Sequence, residues 1–369
     1  MAEQKKKNKG LTAAKKAKND EFYTRLEDIS NELCHYNGIL PTGSTNHFRG
    51  KTVLCNCDDA KESNFFKYFA LNFNFLGLKK LICVGYAGSG IKSCFDKGDE
   101  RHSWKIEVDH MDDFNGDSAV DFMDAEWLIE NQKGVLTQME GDGDFRSEES
   151  IELLKQADIV VTNPPFSLFR EYVAQLMTYQ KQFIIWGNNN AITYKEIFPL
   201  IKDNKLWLGY TANQNCHFVV PDSYEVYDEK YTAERHKANP NDKQKYATVP
   251  AISVFTNIPL NKRHENLVLA GNYSLDPKKY PKYDNYDAIE VSKVSLIPRD
   301  YMGIMGVPIT FMEKYNPDQF EIIGLMSGGT GGGLINGNDG KPKFEINGSG
   351  VYARILIRRQ PGSSDGWTA

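Results

Sequence analysis

Short apolar runs alternate with amphipathic stretches through the N-terminal half of the chain. Runs of strand length occupy residues 52–57, 81–86, 104–109, 134–139, 158–162 and 183–186. Stretches with helical spacing lie between many of them, at 63–73, 124–132, 147–156 and 167–179. Strands that alternate with helices of this length form βαβ units. The pattern therefore predicts an α/β fold built on a doubly wound, mostly parallel sheet.

The pattern changes after residue 205. Three further strand candidates lie at 206–210, 217–221 and 252–256, and a polar stretch rich in Tyr and Lys lies at 222–247. This pattern predicts an antiparallel edge of the sheet with a long insertion. From about residue 258 the chain is rich in Pro, Gly, Asn and Tyr, and a last strand candidate with basic flanks covers 352–359. We therefore predict a basic flexible arm at 1–19, a first domain at 20–257 and a second region at 258–369.

The composition excludes several classes of protein. Hydrophobic residues make up 40% and aromatic residues 12% of the 369 residues, which is enough for a core and excludes global disorder. No apolar run approaches the ~18 residues of a membrane-spanning helix, and the basic N-terminus lacks the apolar stretch of a secretory signal. The six cysteines form no CxxC pair and lie at no zinc-ligand spacing from a histidine. We therefore expect free thiols, no metal site and a cytoplasmic location.

Positive charge is concentrated at the N-terminus. The net charge is −5, but residues 1–18 contain seven lysines and one acid, for a local charge of +6. Such a block is too polar to pack, so it predicts a mobile arm that can lie along phosphates. A solubilising tail without a partner is the alternative. Acidic residues are crowded into 96–150, so a polyanion would bind elsewhere.

One tetrapeptide suggests a specific chemistry. Asn163-Pro164-Pro165-Phe166 lies between a predicted strand and a predicted helix, where open α/β sheets bind ligands. The side-chain carbonyl of Asn163 and the main-chain carbonyl of Pro164 can each accept a hydrogen from an aromatic amine. The two prolines stiffen the turn, and Phe166 offers a flat face for a planar base. Asn-Pro-Pro alone can be a simple strand-to-helix turn, but the preceding strand and the aromatic fourth residue favour catalysis.

Several segments besides this tetrapeptide carry a family resemblance. They are 20–24 (DEFYT), 53–59 (VLCNCDD), 63–77 (SNFFKYFALNFNFLG), 141–147 (GDGDFRS), 157–169 (ADIVVTNPPFSLF), 305–311 (MGVPITF) and 352–359 (YARILIRR). In this order, over nearly the whole chain, they resemble the EcoRI-type adenine-specific DNA methyltransferases. The resemblance implies the fold of methyltransferases that use S-adenosylmethionine, with target recognition in 258–369. It also implies methyl transfer to N6 of an adenine that is flipped out of a specific site in double-stranded DNA.

The resemblance also assigns roles to individual residues. The implied catalytic residues are Asn163, Pro164, Pro165 and Phe166. The implied cofactor-binding residues are Phe22, Tyr23, Thr24, Asp58, Asp144 and Phe145. Within this set, Asp144 would accept a hydrogen bond from the adenine amine of the cofactor, and Asp142 competes for that role. The second strand ends at Gly85-Tyr86 without an acid, so the carboxylate that usually holds the cofactor ribose is not identified.

Other functions and partners remain open at this stage. A methyltransferase of an RNA base or of a protein glutamine amide is one alternative, and a catalytically silent DNA-binding module is another. We expect a monomer that binds duplex DNA, and a cognate restriction endonuclease is a further candidate partner.

The glycine-rich run at 328–333 lacks the lysine of a phosphate-binding loop. Candidate DNA-contacting cations are Arg263, Lys293, Arg299, Arg354, Arg358 and Arg359.

Overall fold

The structure is a computed structural model. It describes residues 23–38, 45–56, 59–88, 93–96, 100–220, 224, 226, 228–326, 335–338, 340 and 343–366. Four features predicted from the sequence lie outside these ranges: the lysine-rich arm, Phe22, Asp58 and the glycine-rich run at 328–333.

The chain divides into two compact units. The first unit comprises Met1–Asn188 and Gly209–Ile258, and the second comprises Asn189–Leu208 and Pro259–Ala369. The strands are β1 Thr52–Cys55, β2 Lys80–Val84, β3 Trp104–Val108, β4 Leu136–Gln138, β5 Ile159–Thr162, β6 Gln182–Asn188, β7 Trp207–Leu208, β8 Gln214–Val220, β9 Lys245–Thr256, β10 Ile289–Glu290, β11 Met305–Pro308, β12 Phe320–Met326, β13 Glu345–Ile346, β14 Ser349–Gly350 and β15 Arg354–Arg359. The α-helices are α1 Leu26–Leu33, α2 Asn64–Leu71, α3 Phe73–Leu76, α4 Phe122–Asn131, α5 Glu148–Gln156, α6 Phe169–Thr178, α7 Phe198–Lys202 and α8 Lys230–Ala238.

A mixed sheet forms the core of the first unit. Its strands follow the order β4-β3-β2-β1-β5-β6-β9, and β8 pairs with β9. The four central strands, β2, β1, β5 and β6, are parallel, and Val53 of β1 lies opposite both Leu81 and Ile159. Every residue of β1 and β5 is buried, as expected for strands covered on both faces. The predicted α/β fold with a mostly parallel central sheet is thus confirmed.

The edges of this sheet differ from a purely parallel arrangement. On one side β3 runs antiparallel to β2, and β4 runs antiparallel to β3. The described part of the connection between β2 and β3 contains no helix. A parallel return would need a long crossover, whereas an antiparallel strand does not. On the other side β9 and β8 are also antiparallel, and β9 begins inside the stretch that the sequence pattern suggested was an insertion.

The second unit contains a smaller sheet. Its order is β10-β11-β15-β12, and β15 is antiparallel to both of its neighbours. A separate hairpin, β13–β14, turns at Asn347-Gly348, where both residues have the positive φ that a tight hairpin turn requires. Buried residues that pack together here are Tyr283, Ala288, Met326, Phe344 and Leu356. The strand predicted at 352–359 is confirmed as β15.

None of the helices in the described ranges has the length and apolar character needed to cross a membrane.

Candidate active site

The order in which successive strands are added to the sheet reverses between β1 and β5. From β1 the chain continues to β2 on one side, and from β5 it continues to β6 on the other. Ligands of open α/β sheets bind at such a switch point, beyond the carboxyl ends of the strands. Asn56 follows β1 and Asn163 follows β5, and both are about 3% exposed. The hydroxyl of Thr162 donates to the main-chain carbonyl of Asn56, so the two strand ends are joined.

The predicted catalytic tetrapeptide forms the loop that leaves β5. Asn163, Pro164 and Pro165 are buried, and Phe166 is partly exposed. The loop turns into α6 through a hydrogen bond from the Leu168 amide to the Pro165 carbonyl, 2.9 Å long. The ring of Phe166 packs edge-to-face against Phe218 of β8, with centroids 6.4 Å apart. All four residues therefore lie together at the carboxyl edge of the parallel strands.

The N-terminal segment is attached to the same edge of the first unit. Tyr23 pairs with Val219 of β8 through two main-chain hydrogen bonds of 3.2 and 3.0 Å. The side-chain amide of Asn64 donates to the Thr24 carbonyl over 2.8 Å. The hydroxyl oxygen of Thr24 is buried and has no hydrogen bond to any described residue. Because Val219 follows Phe218, the predicted cofactor residues Tyr23 and Thr24 approach the strand that contacts Phe166.

The segment between β4 and α5 carries Asp144 and Phe145. Both carboxylate oxygens of Asp144 accept from the Arg146 guanidinium, over 2.9 and 2.6 Å. This pairing with Arg146 holds the pKa of Asp144 below its ordinary value. Asp142 is exposed, and one of its oxygens accepts from the Asp144 amide over 3.0 Å. The environments of the two acids therefore differ: Asp144 is paired with Arg146, whereas Asp142 faces solvent.

The ring of Phe145 is packed inside the first unit. It is 4% exposed, and it meets Tyr172 edge-to-face with centroids 4.9 Å apart. The Tyr172 hydroxyl in turn donates to the side-chain carbonyl of Asn56. Phe145 and Tyr172 thus connect the Asp144 segment to the strand ends at the switch point. The predicted packing of Phe145 on a cofactor stays a prediction, since most of its ring already contacts protein.

A small, open cleft lies beyond the end of β2. Its lining residues are Asp59, Gly85, Tyr86, Ala87, Ser93, Asp96, His102 and Trp104. The Ala87 amide donates to the Asp142 carbonyl over 2.8 Å, and the Ser103 hydroxyl donates to the Gly85 carbonyl over 2.6 Å. These bonds join the cleft to the segment that carries Asp144. The cleft offers carboxylate acceptors beside aromatic rings, a combination that suits a nucleoside.

Sequence reasoning missed Ser93, Asp96, His102 and Trp104. They belong to no motif, and only the folded chain places them at the end of β2. The one available signal was the missing acid at Gly85-Tyr86, which could have directed attention to the acids that follow. No group of three His, Cys, Asp or Glu side chains within the described ranges could hold a metal ion.

Several candidate DNA-contacting cations have structural partners in the second unit. Arg354 binds the Glu290 carboxylate through contacts of 2.7 to 3.1 Å. Arg358 binds Glu321 over 2.7 Å. Arg359 donates to the main-chain carbonyls of Arg299 and Ser363. The guanidinium carbon of Arg263 lies over the Trp207 ring, 4.2 Å from the ring centroid. Lys293 and Arg299 are exposed, and neither side chain has an ion pair with a described residue.

Comparison with known proteins places this geometry in a family. The model of the family described as adenine-specific methyltransferase EcoRI matches residues 10–360. Type II methyltransferase M.EcoRI of Escherichia coli is 45% identical over 360 residues, which cover 96% of this chain and 97% of that protein. Type II methyltransferase M.MgeORF184P of Mycoplasma genitalium is 40% identical over 356 residues, covering 94% and 98%.

A third methyltransferase is similar over most of both chains. Type II methyltransferase M.MpnI of Mycoplasma pneumoniae is 40% identical over 314 residues, which are 85% of each chain. No solved structure matches the chain significantly. The resemblance found in the sequence is confirmed: the chain belongs to the EcoRI family of adenine-specific methyltransferases.

Proposed function

We propose that this adenine-specific methyltransferase moves a methyl group from S-adenosylmethionine to the N6 amine of an adenine in a specific duplex DNA site. The observation that carries the proposal is the position of Asn163-Pro164-Pro165-Phe166. The tetrapeptide leaves a central parallel strand at the switch point of the sheet and is largely buried there. Membership of the family supplies the reaction class, and this geometry supplies the residues that would perform it.

The chemical task of the loop is to activate a poor nucleophile. The lone pair of an adenine amine is delocalised into the ring, so the nitrogen attacks weakly. Hydrogen bonds from the amine to the Asn163 side-chain carbonyl and the Pro164 carbonyl would favour a more tetrahedral nitrogen with a localised lone pair. Preorganised acceptors in a site shielded from water act strongly on developing charge. S-adenosylmethionine, when bound, supplies an electrophilic methyl group, so the protein itself needs no nucleophile.

The residues of the first unit fit S-adenosylmethionine. The cleft beyond β2 combines Asp59 and Asp96 with the rings of Tyr86 and Trp104. The buried Thr24 hydroxyl has no hydrogen bond to a described residue, so it can serve a ligand. Asp144 keeps acceptor capacity on Oδ2, because Oδ1 accepts from both the amide and the Nε of Arg146 whereas Oδ2 accepts only from Nη2. These groups match the adenine amine, the ribose hydroxyls and the amino group of the cofactor.

Access to N6 requires the adenine to leave the duplex stack. Base flipping costs a few kcal/mol, which an enzyme offsets through stacking and hydrogen bonds in its pocket. Phe166 is partly exposed, so the exposed part of its ring would stack on a flipped base. The edge-to-face contact with Phe218 would hold that ring in place.

We also propose that the region 258–369 recognises the DNA site, with the basic arm at 1–19 adding contacts to phosphates. Lys293 and Arg299 are the exposed candidates in this region. Arg354 is 14% exposed and is held by Glu290, so it serves the fold of the second unit. A monomeric state, a cytoplasmic location and a cognate restriction endonuclease remain predictions.

Product analysis distinguishes this proposal from its alternatives. The protein is incubated with S-adenosylmethionine and, in parallel, with duplex DNA, RNA and a glutamine-containing peptide library. Mass spectrometry of the hydrolysed products should show N6-methyladenine from DNA alone, and long-read sequencing should place it at one sequence context. Methylation of RNA or peptide in preference to DNA would contradict the proposal, and so would cofactor binding without any transfer.

A further inference from the structure

Two loop segments of the second unit, 271–280 and 296–302, lie against each other. Gly271 forms an isolated parallel bridge with Pro298. A Cβ atom at Gly271 would lie only 2.4 Å from the main-chain oxygen of Leu296, so no larger residue fits there. The close approach of the two backbones at Gly271 therefore fixes the segments side by side.

The first of these segments is held in shape by a carboxylate of the second. Asp300 accepts from the Tyr273 amide over 2.6 Å through Oδ1, and from the Ser274 amide over 2.8 Å through Oδ2. The Leu275 amide donates to the side-chain carbonyl of Asn272 over 2.9 Å. Burial favours the neutral acid, but the donors on Ser274 and Tyr273 outweigh it and hold the pKa of Asp300 below its ordinary value. The backbone that presents Leu275 is thus fixed by an ionised carboxylate at neutral pH.

The paired segments expose apolar side chains. Leu275 is 83% exposed, the highest value for a large hydrophobic residue in the described ranges, and Met302 of the other segment is 50% exposed. The rings of Tyr273 and Tyr301 meet with their centroids 4.8 Å apart, so the two exposed side chains lie close in sequence to one aromatic contact. Exposed apolar side chains on a fixed loop indicate a binding surface.

The charge of this surface indicates the kind of partner. Three exposed cations lie on the segments or directly after them, and none of their side chains has an ion pair or hydrogen bond to a described residue: Lys278, Lys282 and Arg299. The nearby acids are largely engaged, since Asp276 pairs with Lys279 over 3.0 Å and Asp300 accepts from two amides. Asp287, whose charge acts on Tyr301, is the opposing acid. The cations without a partner favour a polyanion.

We propose that the 271–280/296–302 surface enters the major groove of the DNA, where Leu275 contacts the methyl group of a thymine and Lys278 and Arg299 contact phosphates. The inference rests on the proposed function, since it names the residues through which the region 258–369 would recognise its site. The thymine methyl is the apolar group that base edges present in the major groove. Because the methylated adenine pairs with thymine, the recognised site contains at least one such methyl group.

Binding titrations on cognate and unrelated duplexes test the roles separately. Leu275→Ser should weaken cognate binding about 5- to 30-fold, the effect of exposing a leucine side chain again, and should change unrelated binding by less than about twofold. Lys278→Gln should weaken both alike and lower the slope of log K against log salt by ~0.9. The control is Leu71→Ser, at a 40% exposed position of α2, which should change neither. Circular dichroism and thermal unfolding confirm that each variant folds.

Deoxyuridine in place of single thymines of the cognate site provides the decisive comparison, because it removes one methyl group. Wild-type protein should bind at least one such duplex about fourfold more weakly than the unmodified duplex, whereas Leu275→Ser should bind the two equally. The same loss in both proteins would overturn the inference, and so would equal losses for Leu275→Ser on cognate and unrelated DNA. Site-specific methylation by wild-type protein would leave the proposed function intact in either case. If wild-type protein methylates no DNA, the proposed function fails, and this inference fails with it.

Discussion

The hydroxyl of Thr162 donates a hydrogen bond to the main-chain carbonyl of Asn56, a residue 106 positions earlier in the chain. Thr162 is the last residue of β5 and immediately precedes Asn163, whereas Asn56 immediately follows β1. The bond therefore joins the end of β1 to the loop that carries Asn163. Tyr172 adds a second link, because its hydroxyl donates to the Asn56 side chain.

Thr162→Val should impair catalysis more than cofactor binding. The substitution keeps the shape of the side chain but leaves the buried Asn56 carbonyl without its donor, which costs about 1–3 kcal/mol of stability. A small displacement of Asn163 should lower kcat about tenfold or more, since misplacement by ~1 Å can cost about 100-fold. Steady-state kinetics separate kcat from KM, and Thr162→Ser, which keeps the hydroxyl, is the control. Equal kcat values for the Val and Ser variants would show that this bond does not position the loop.

Glu32→Ala should destabilise the first unit. Glu32 is fully buried, and its carboxylate accepts from the Tyr36 hydroxyl over 2.8 Å and from the Tyr210 and Thr211 amides over 3.0 and 2.5 Å. Removing it takes the acceptor from the buried Tyr36 hydroxyl and from two partly buried amides, so we expect a loss of about 2–4 kcal/mol in the free energy of unfolding. Urea denaturation measures this loss. The exposed Glu130→Ala should change stability by less than ~0.5 kcal/mol, and a similar effect of both substitutions would contradict the role of Glu32.

Asp144→Ala should weaken S-adenosylmethionine binding by ~1–3 kcal/mol, the range for one lost hydrogen bond to a charged group. The lowered pKa of Asp144, caused by Arg146, keeps the carboxylate ionised throughout the neutral pH range. Titration of the Asp144 carboxylate should therefore cause no change in the affinity for S-adenosylmethionine near neutral pH. Calorimetry on Asp144→Ala and Asp142→Ala tests the assignment. Unchanged affinity for Asp144→Ala, with a loss for Asp142→Ala, would transfer the role to Asp142.

Deletion of residues 2–18 should weaken DNA binding at all sequences alike and reduce its salt dependence. Lysines on a flexible arm can reach phosphates, but they lack the fixed geometry needed to read base edges. Each lost phosphate contact lowers the slope of log K against log salt by ~0.9, so a change of roughly two to four units is expected. Salt titrations of both proteins on cognate and unrelated duplexes measure the slopes. Equal slopes would make the arm a solubility tail, and a loss on the cognate duplex alone would make it part of the sequence reader.

The central fold could be predicted because its strands are buried on both faces. Such strands appear in the sequence as continuous apolar runs, and β1, β2, β5 and β6 all begin or end within a few residues of the predicted limits. The direction of β3 and β4 could not be predicted, because periodicity carries no information about it. The antiparallel β3 and β4 therefore became visible only in the structure. The second half of β9 was predicted at 252–256, but its first half, which mixes buried and exposed positions, was not.

The candidate site likewise contains residues that the sequence indicates and residues that only the structure brings together. Asn163–Phe166 is contiguous and carries its own chemistry, so the sequence alone indicates it. The pairing of Asp144 with Arg146 joins near neighbours in the chain. The Thr162–Asn56 bond instead depends on a long-range contact between residues that have no shared motif. The inclusion of Asn189–Leu208 in the second unit depends on such contacts too.

The role of Asn163 is the central claim, and single-turnover methyl transfer by Asn163→Ala tests it most directly. The variant is first shown by calorimetry to bind S-adenosylmethionine and by titration to bind DNA near the wild-type affinities. It is then mixed, in excess over DNA, with labelled cofactor. The proposed function has the Asn163 carbonyl acting on the amine during transfer, so its loss should lower the rate at least 100-fold with little change in binding. Asn131→Ala, at an exposed helix end, should react at the wild-type rate. A rate for Asn163→Ala within about tenfold of wild type, or ~1.4 kcal/mol, would contradict the account.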